Sequence, residues 1–205
     1  MKTYPSIKRF RADRHLGFQG HTFAKIDGSN LRFEWERKRG WFRFGSRRRV
    51  INEDHETFGI AMDMFLQKFA EPLEKCTVEQ KWSGITVYCE FWGKNSFAGE
   101  HELDDAKILT PIDIAIYKRG MMDTEEFLSR FGDIFDLQYL GFQTWDREFV
   151  DQVESSSYPG MAFEGVIGKT GTGHKRLGIK LKSKAWIARV IESYGEEKGR
   201  EIIES

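Results

Sequence analysis

Apolar and charged residues alternate over residues 31–36, where Leu31, Phe33 and Trp35 are separated by polar partners, the period-two signature of a strand with one buried face. Residues 22–26 form a second extended run, and Asp27-Gly28-Ser29-Asn30 between the two predicts a hairpin. Residues 41–44 alternate again and predict a third strand ending near Gly45-Ser46, so the sheet is expected to be antiparallel. Over residues 56–70 the period lengthens: Phe58, Ala61, Met62, Phe65, Leu66 and Phe69 share one helical face, and Pro72 is expected to stop the helix. β-Branched and aromatic residues predict strands over 84–91 and 108–117, the latter despite Pro111. Asp123, with Glu126 completing a capping-box pattern, predicts a helix to Phe131. A polar, serine-rich loop is expected over 153–160, then strands over 163–169 and 177–182 around Gly171-Thr172-Gly173. A terminal helix is expected over 185–203, with Trp186, Ile187, Val190, Ile191 and Tyr194 inward.

The chain has 205 residues, 40% of them apolar and 14% aromatic, enough for one sizeable core and few enough that a single domain over 1–205 is the expectation. No apolar run is long enough to span a bilayer, and the polar start Met1-Lys2-Thr3-Tyr4-Pro5 lacks a signal-peptide pattern, so a cytoplasmic protein without membrane association is expected. Cys76 and Cys89 cannot build a disulfide framework and have no partners at metal-ligand spacing. The 32 basic and 32 acidic residues cancel, but the balance hides a strong local bias. Arg32, Arg37, Lys38, Arg39, Arg43, Arg47, Arg48 and Arg49 crowd one region among Phe33, Trp35, Trp41, Phe42 and Phe44; Lys169, Lys175, Arg176, Lys180, Lys182 and Lys184 form another. Arginines interleaved with aromatics suit phosphate contact and base stacking, and equally suit a basic face over buried rings.

Gly168-Lys169-Thr170 has the ending of a phosphate-binding P-loop, but Phe163 stands where that motif needs its first glycine, and the context is strand-turn-strand rather than a helix start. Stronger chemistry is distributed. Lys25 stands at a strand end beside a turn in the form K-x-D-G-x-N, closed by Asn30. Glu90 lies late in one strand, Glu164 opens another in Glu164-Gly165, and Lys180-Leu181-Lys182 points two ammoniums to one face of a third. Taken singly, each has a plain structural explanation: a lysine at a strand end is usually solvated, and Asp-Gly is a strong turn former. Glu90 and Glu164 sit within apolar runs, where a charge needs a partner.

In this order the segments resemble motifs I, III, IV and V of the covalent nucleotidyltransferases, the superfamily of polynucleotide ligases and capping enzymes, with Phe44-Gly45-Ser46-Arg47 where the arginine of motif Ia falls. Tyr4-Pro5-Ser6-Ile7, Asn30 and Lys180-Leu181-Lys182-Ser183 are most similar to the RNA ligase 2 family of ATP-dependent ligases, over nearly the whole chain. The resemblance implies an α+β fold, an ATP-grasp-like ligase adenylation domain of two antiparallel sheets with flanking helices and ATP bound between them. Lys25 would be the nucleophile, Lys180 and Lys182 would stabilise charge on the α-phosphate, Glu164 would hold Mg2+, and Glu90 would accept from a ribose hydroxyl. Asp27 would belong to the nucleotide-binding set as well, at a position that is His in many members of that family. Asn30 and Arg47 would orient phosphates or the 3′-hydroxyl, with Arg48 and Arg49 as further RNA contacts. No ring precedes Asp113 where the family offers an aromatic to the purine, so Ile112 is expected to supply apolar contact there.

The function so implied is ATP-dependent joining of RNA 5′-phosphate and 3′-hydroxyl ends through lysyl-AMP and adenylylated RNA. Nicked duplex or DNA ends are alternative substrates, and neither an OB-fold nor a further C-terminal domain is expected in this chain. A monomer is expected, with an accessory RNA-binding protein as a conceivable partner. Two rivals remain at this point: a small DNA ligase or GTP-using capping-type transferase, and a binding module that keeps the fold without turnover.

Overall fold

The computed structural model describes residues 3–47, 49–94, 96 and 105–204. Its elements are β1 (Lys8–Arg9), α1 (Ala12–His15), β2 (Phe18–Ala24), β3 (Ser29–Glu36), β4 (Gly40–Ser46), β5 (Val50–Ile51) and α2 (Gly59–Phe65). A π-helical turn (Leu66–Ala70) leads to α3 (Glu71–Glu79), β6 (Gly84–Trp92), β7 (Ile108–Ile116), β8 (Gly120–Met121) and α4 (Thr124–Phe131). The chain continues through β9 (Tyr139–Trp145), α5 (Arg147–Glu154), β10 (Gly165–Thr170), β11 (Leu177–Lys182), α6 (Lys184–Tyr194) and α7 (Glu196–Glu204). The strands form a five-stranded sheet, β1-β11-β10-β2-β9, and a six-stranded sheet, β5-β4-β3-β6-β7-β8. Pairing is antiparallel throughout both sheets save for the short parallel contact of β1 with β11.

Burial explains the layering. On the six-stranded sheet, Leu31, Phe33 and Trp35 of β3 and Ile85, Val87, Cys89 and Phe91 of β6 bury one face against Phe65, Phe69, Leu73 and Phe127 from α2, the π-helical turn, α3 and α4. Phe33 lies flat on Phe65, with ring centroids 3.9 Å apart. On the five-stranded sheet, Val166, Ile179 and Leu181 pack outward against Phe149, Val150 and Val153 of α5. The period-two alternation that sends these side chains outward sends Lys180, Lys182 and Ile167 to the opposite face, toward the other sheet. Each sheet therefore presents a helix-covered apolar face and a polar inner face.

Several elements depart from the sequence pattern. β2 and β3 are not a hairpin: they lie in different sheets, and residues 25–28 carry the chain across. Both edges of β3 pair with β4 and β6, and both edges of β2 with β9 and β10, so neither strand has a free edge for the other. Gly28 makes the crossing close, because a Cβ there would sit 2.6 Å from the carbonyl oxygen of Phe91. Pro72 does not end the helix. It lies in the first turn of α3, and the π-helical turn immediately before it joins α3 to α2 with the backbone helical throughout. Gly195, at φ 75° and ψ 168°, divides the terminal helix into α6 and α7. Two elements, β9 and α5, occupy a stretch for which the pattern predicts none apart from the last residues of α5, placed there in a loop. Asp146 is the N-cap of α5, accepting from the N–H of Phe149 at 2.9 Å.

Candidate active site

A cavity of about 700 Å3 opens between the inner faces of the two sheets. The five-stranded sheet contributes Ile167, Lys180 and Lys182; the six-stranded sheet contributes Asn30, Glu90 and Ile112. Lys25 stands at the chain crossing between the sheets. Its backbone N–H donates to the carbonyl of Gly165 at 2.8 Å, which registers the lysine beside the start of β10. Gly165 adopts φ 137°, and a Cβ there would run into the backbone of Leu181, so only glycine allows the approach that sets Glu164 against Lys25.

Glu164 is the hub. Lys25 Nζ donates to its Oε2 at 2.6 Å, and Lys182 Nζ lies 3.1 Å from its Oε1. The carboxylate is 3% exposed, and a charge that deeply buried persists only with partners of this kind. Lys180, one pleat repeat from Lys182, is also buried on the cavity side; burial first, then the ammoniums of Lys182 and Lys25, bring it down to about 8. Burial also lowers Lys182, against the pull of Glu164.

Asn30 and Glu90 are directly opposite each other across β3 and β6, and the Asn30 side chain hydrogen bonds the Glu90 carboxylate. Burial pushes Glu90 up to about 7, with Lys25 and Asn30 opposing and Glu164 adding to the rise. Asp27 is held at about 6, chiefly by burial, while the indole N–H of Trp186, 2.9 Å from Oδ2, favours its ionised form. Arg47 and Arg49 are exposed and line the cavity mouth; Arg48 lies outside the described residues. Ile112 lines the cavity opposite Ile167, which makes an apolar slot between the sheets without an aromatic ring at position 112.

The residues singled out from sequence thus converge, but the second basic stretch does not act as one surface. Lys169 is buried, donates to the carbonyl of Ile112 at 2.6 Å and pairs with Asp113 at 3.2 Å. Asp113 also accepts from Arg176 at 3.0 Å and from the Tyr4 hydroxyl at 3.1 Å. These groups form an ion cluster that ties β7 to β10 and to the residue that precedes β11. The sequence signal was the Asp following Ile112, whose burial in an apolar strand demands compensating cations. Trp186, expected to be core, is both core and a direct contact of Asp27.

Among the described residues no group of three or more His, Cys, Asp or Glu side chains is placed to hold a metal ion. A cation bound at Glu164 would depend on water and ligand phosphates for its remaining coordination, the arrangement that suits Mg2+ and similar hard divalent ions. Among the described residues no helix is long and apolar enough to cross a membrane.

No family model matches the sequence. No curated protein is detectably similar to it. Solved structures are similar in shape. An archaeal ATP-dependent RNA ligase superposes with a TM-score of 0.69 over 99% of this chain at 14% identity, and a second form of such an archaeal ligase gives 0.65 over 94% at 13%. The RNA ligase of Naegleria gruberi, solved with AMP and manganese, gives 0.65 over 91% at 12%. The chain has the α+β nucleotidyltransferase fold of these RNA ligases. It spans just over half the length of each, 56%, 51% and 57% respectively.

Proposed function

We propose that this protein is an ATP-dependent RNA ligase of the kind found in the RNA ligase 2 family, joining 5′-phosphate and 3′-hydroxyl ends. The observation that carries the reading is the cluster in which Lys25 and Lys182 share Glu164, with Lys180 beside them, in a cavity between two sheets. In the first step the neutral amine of Lys25 attacks the α-phosphorus of ATP. An N–P bond forms, the bond from that phosphorus to the bridging oxygen breaks, pyrophosphate leaves and the amine proton passes to solvent. Lys180 and Lys182 face the charge that builds on the α-phosphate. The N–P bond then breaks as a 5′-phosphate oxygen takes the AMP and the Lys25 nitrogen regains a proton from solvent; a 3′-hydroxyl, giving up its proton to solvent, displaces AMP to form the phosphodiester.

The remaining contacts follow from position. Ile112 and Ile167 hold the base in the apolar slot, Glu90 hydrogen bonds a ribose hydroxyl, and Asn30 orients Glu90 rather than a phosphate. Glu164 would hold Mg2+ together with nucleotide phosphates, and an ion bound there would neutralise polyphosphate charge. Arg47 and Arg49 meet polynucleotide phosphates at the cavity mouth, with Arg48 next to them in sequence.

The test is to incubate purified protein, stripped of bound nucleotide, with Mg2+ and α-labelled ATP or GTP, and to map the labelled lysine by mass spectrometry. AMP on Lys25, lost in Lys25→Ala, is expected, followed by sealing of RNA ends. GMP on Lys25 would move the reading to capping-type transfer, and no adduct with either nucleotide would leave a binding module.

A further inference from the structure

Trp186 does more than fill space. It sits in the first turn of α6, 1% exposed, and its own N–H donates to the Oγ of Ser183, the N-cap residue, at 3.1 Å. Ser183 in turn donates from Oγ to the carbonyl of Phe163 at 2.6 Å, and from its N–H to the carbonyl of Glu164 at 2.9 Å. The start of α6 is thereby bolted to the residue that carries the hub carboxylate. From that anchored position the indole reaches two groups of the cluster. Its Nε1–H donates to Asp27 Oδ2 at 2.9 Å, and its ring lies 4.1 Å from Lys182 Nζ.

Asp27 is two residues beyond Lys25, in the crossing between the sheets, where no strand pairing fixes the backbone. The indole bond supplies a fixed point there. The ring also limits where the Lys182 ammonium can go, since a cation over an indole face is held by the ring quadrupole as well as by its carboxylate partner. A tryptophan needed only for packing would satisfy its ring and leave its N–H to any acceptor. Here both ends of the side chain land on functional groups that come from opposite ends of the sequence.

We propose that Trp186 is a positioning residue for adenylyl transfer, setting Lys25 through Asp27 and aiming Lys182 at the α-phosphate. The proposal rests on the ligase reading above, and it assigns Trp186 no contact with the reacting atoms. Its effect should fall on the rate of lysyl-AMP formation more than on nucleotide affinity, because orientation is realised in the transition state.

Trp186→Phe keeps an aromatic ring for the core and for Lys182 but removes the indole donor. Single-turnover labelling with ATP should slow roughly tenfold in this variant, while the equilibrium affinity for ATP changes by less than about twofold. Trp186→Leu, which removes both contacts, should be slower still. Asp27→Ala combined with Trp186→Phe should be no slower than the slower single variant, since both remove one link. Binding can be read without turnover as well: in 15N-labelled protein the Trp186 indole N–H resonance, assigned by its loss in Trp186→Phe, should shift and lose exchange protection in Asp27→Ala. A Trp186→Phe protein with wild-type rate, an equal loss of rate and affinity, or an indole resonance indifferent to Asp27→Ala would overturn the proposal. Wild-type protein that forms no adduct would overturn the ligase reading and this inference together, whereas a normal wild-type adduct with an unaffected Trp186→Phe overturns this inference alone.

Discussion

At the scale of single residues, burial has moved the ionisation of Asp27, Glu90, Lys180 and Lys182 toward neutral pH. Glu90 shows the consequence for stability most directly. Its carboxyl titrates at about 7 in the folded protein against 4.5 in an unperturbed chain, chiefly through burial. Between those values the folded chain keeps a proton that the unfolded chain has released, so its contribution to stability is complete below the lower value and lost as pH rises through the upper one. Asp27, raised from 3.8 to about 6, acts in the same direction over a lower window. Urea unfolding at about pH 5 and about pH 8 should therefore show the wild type losing stability with rising pH, and Glu90→Gln should reduce that loss by on the order of 1 to 3 kcal/mol. An identical pH dependence in both proteins would mean that Glu90 is hydrated enough to titrate normally. Much at this scale was legible in the sequence: Lys25, Glu90, Glu164, Lys180 and Lys182 were all singled out by residue type and order, and all line one cavity. Trp186 was not, because a helical stripe records that a side chain points inward and says nothing about where an indole N–H lands.

Among the secondary-structure elements, local pattern identified most strands and failed where pairing partners are distant. β2 and β3 each have the composition of a strand, and Asp-Gly between them is a hairpin signal, yet hydrogen bonding to β9, β10, β4 and β6 separates them into two sheets. No local feature encodes that choice, which depends on which edges are already occupied. Pro72 misled for a different reason: proline usually ends a helix, but here a π-helical turn immediately before it carries the helix through, and nothing local in the sequence announces that turn. Gly195 makes the complementary case. Its φ of 75° with ψ of 168° is a conformation almost confined to glycine, and it folds α7 back so that Ile203 packs with Trp186 and Val190. Gly195→Ala should cost about 1–3 kcal/mol in urea unfolding and slow lysyl-AMP formation modestly by loosening the support of Trp186. Full stability with unaltered labelling would show that α7 tolerates another path and that its packing is not needed by the site.

Across the whole molecule, a net charge of zero conceals a basic tract joined to the cavity. Residues 37–49 include Arg37, Lys38, Arg39, Arg43, Arg47, Arg48 and Arg49 and no acidic residue. The fold sorts the aromatics of this tract: Trp41 and Phe44 pack against the apolar core, while Arg39 stacks on Phe42 with the guanidinium carbon 4.0 Å from the ring centroid. Exposed Arg37, Lys38 and Arg39 occupy the β3–β4 turn, and Arg47 and Arg49 the cavity mouth, roughly 20 Å apart along a seven-residue strand. If polynucleotide follows this line on its way to Lys25, replacing Arg37, Lys38 and Arg39 with Ala should weaken binding of a long RNA and lower the slope of log K against log salt by about 2, since each phosphate contact contributes about 0.7 on a single strand. Labelling of Lys25 by ATP, which needs no polynucleotide, should stay near the wild-type rate. An oligonucleotide too short to reach the turn should bind both proteins alike, because its phosphates meet only Arg47 and Arg49. An unchanged salt slope with long RNA would instead direct the polynucleotide away from the turn and leave those three charges as a solvated face.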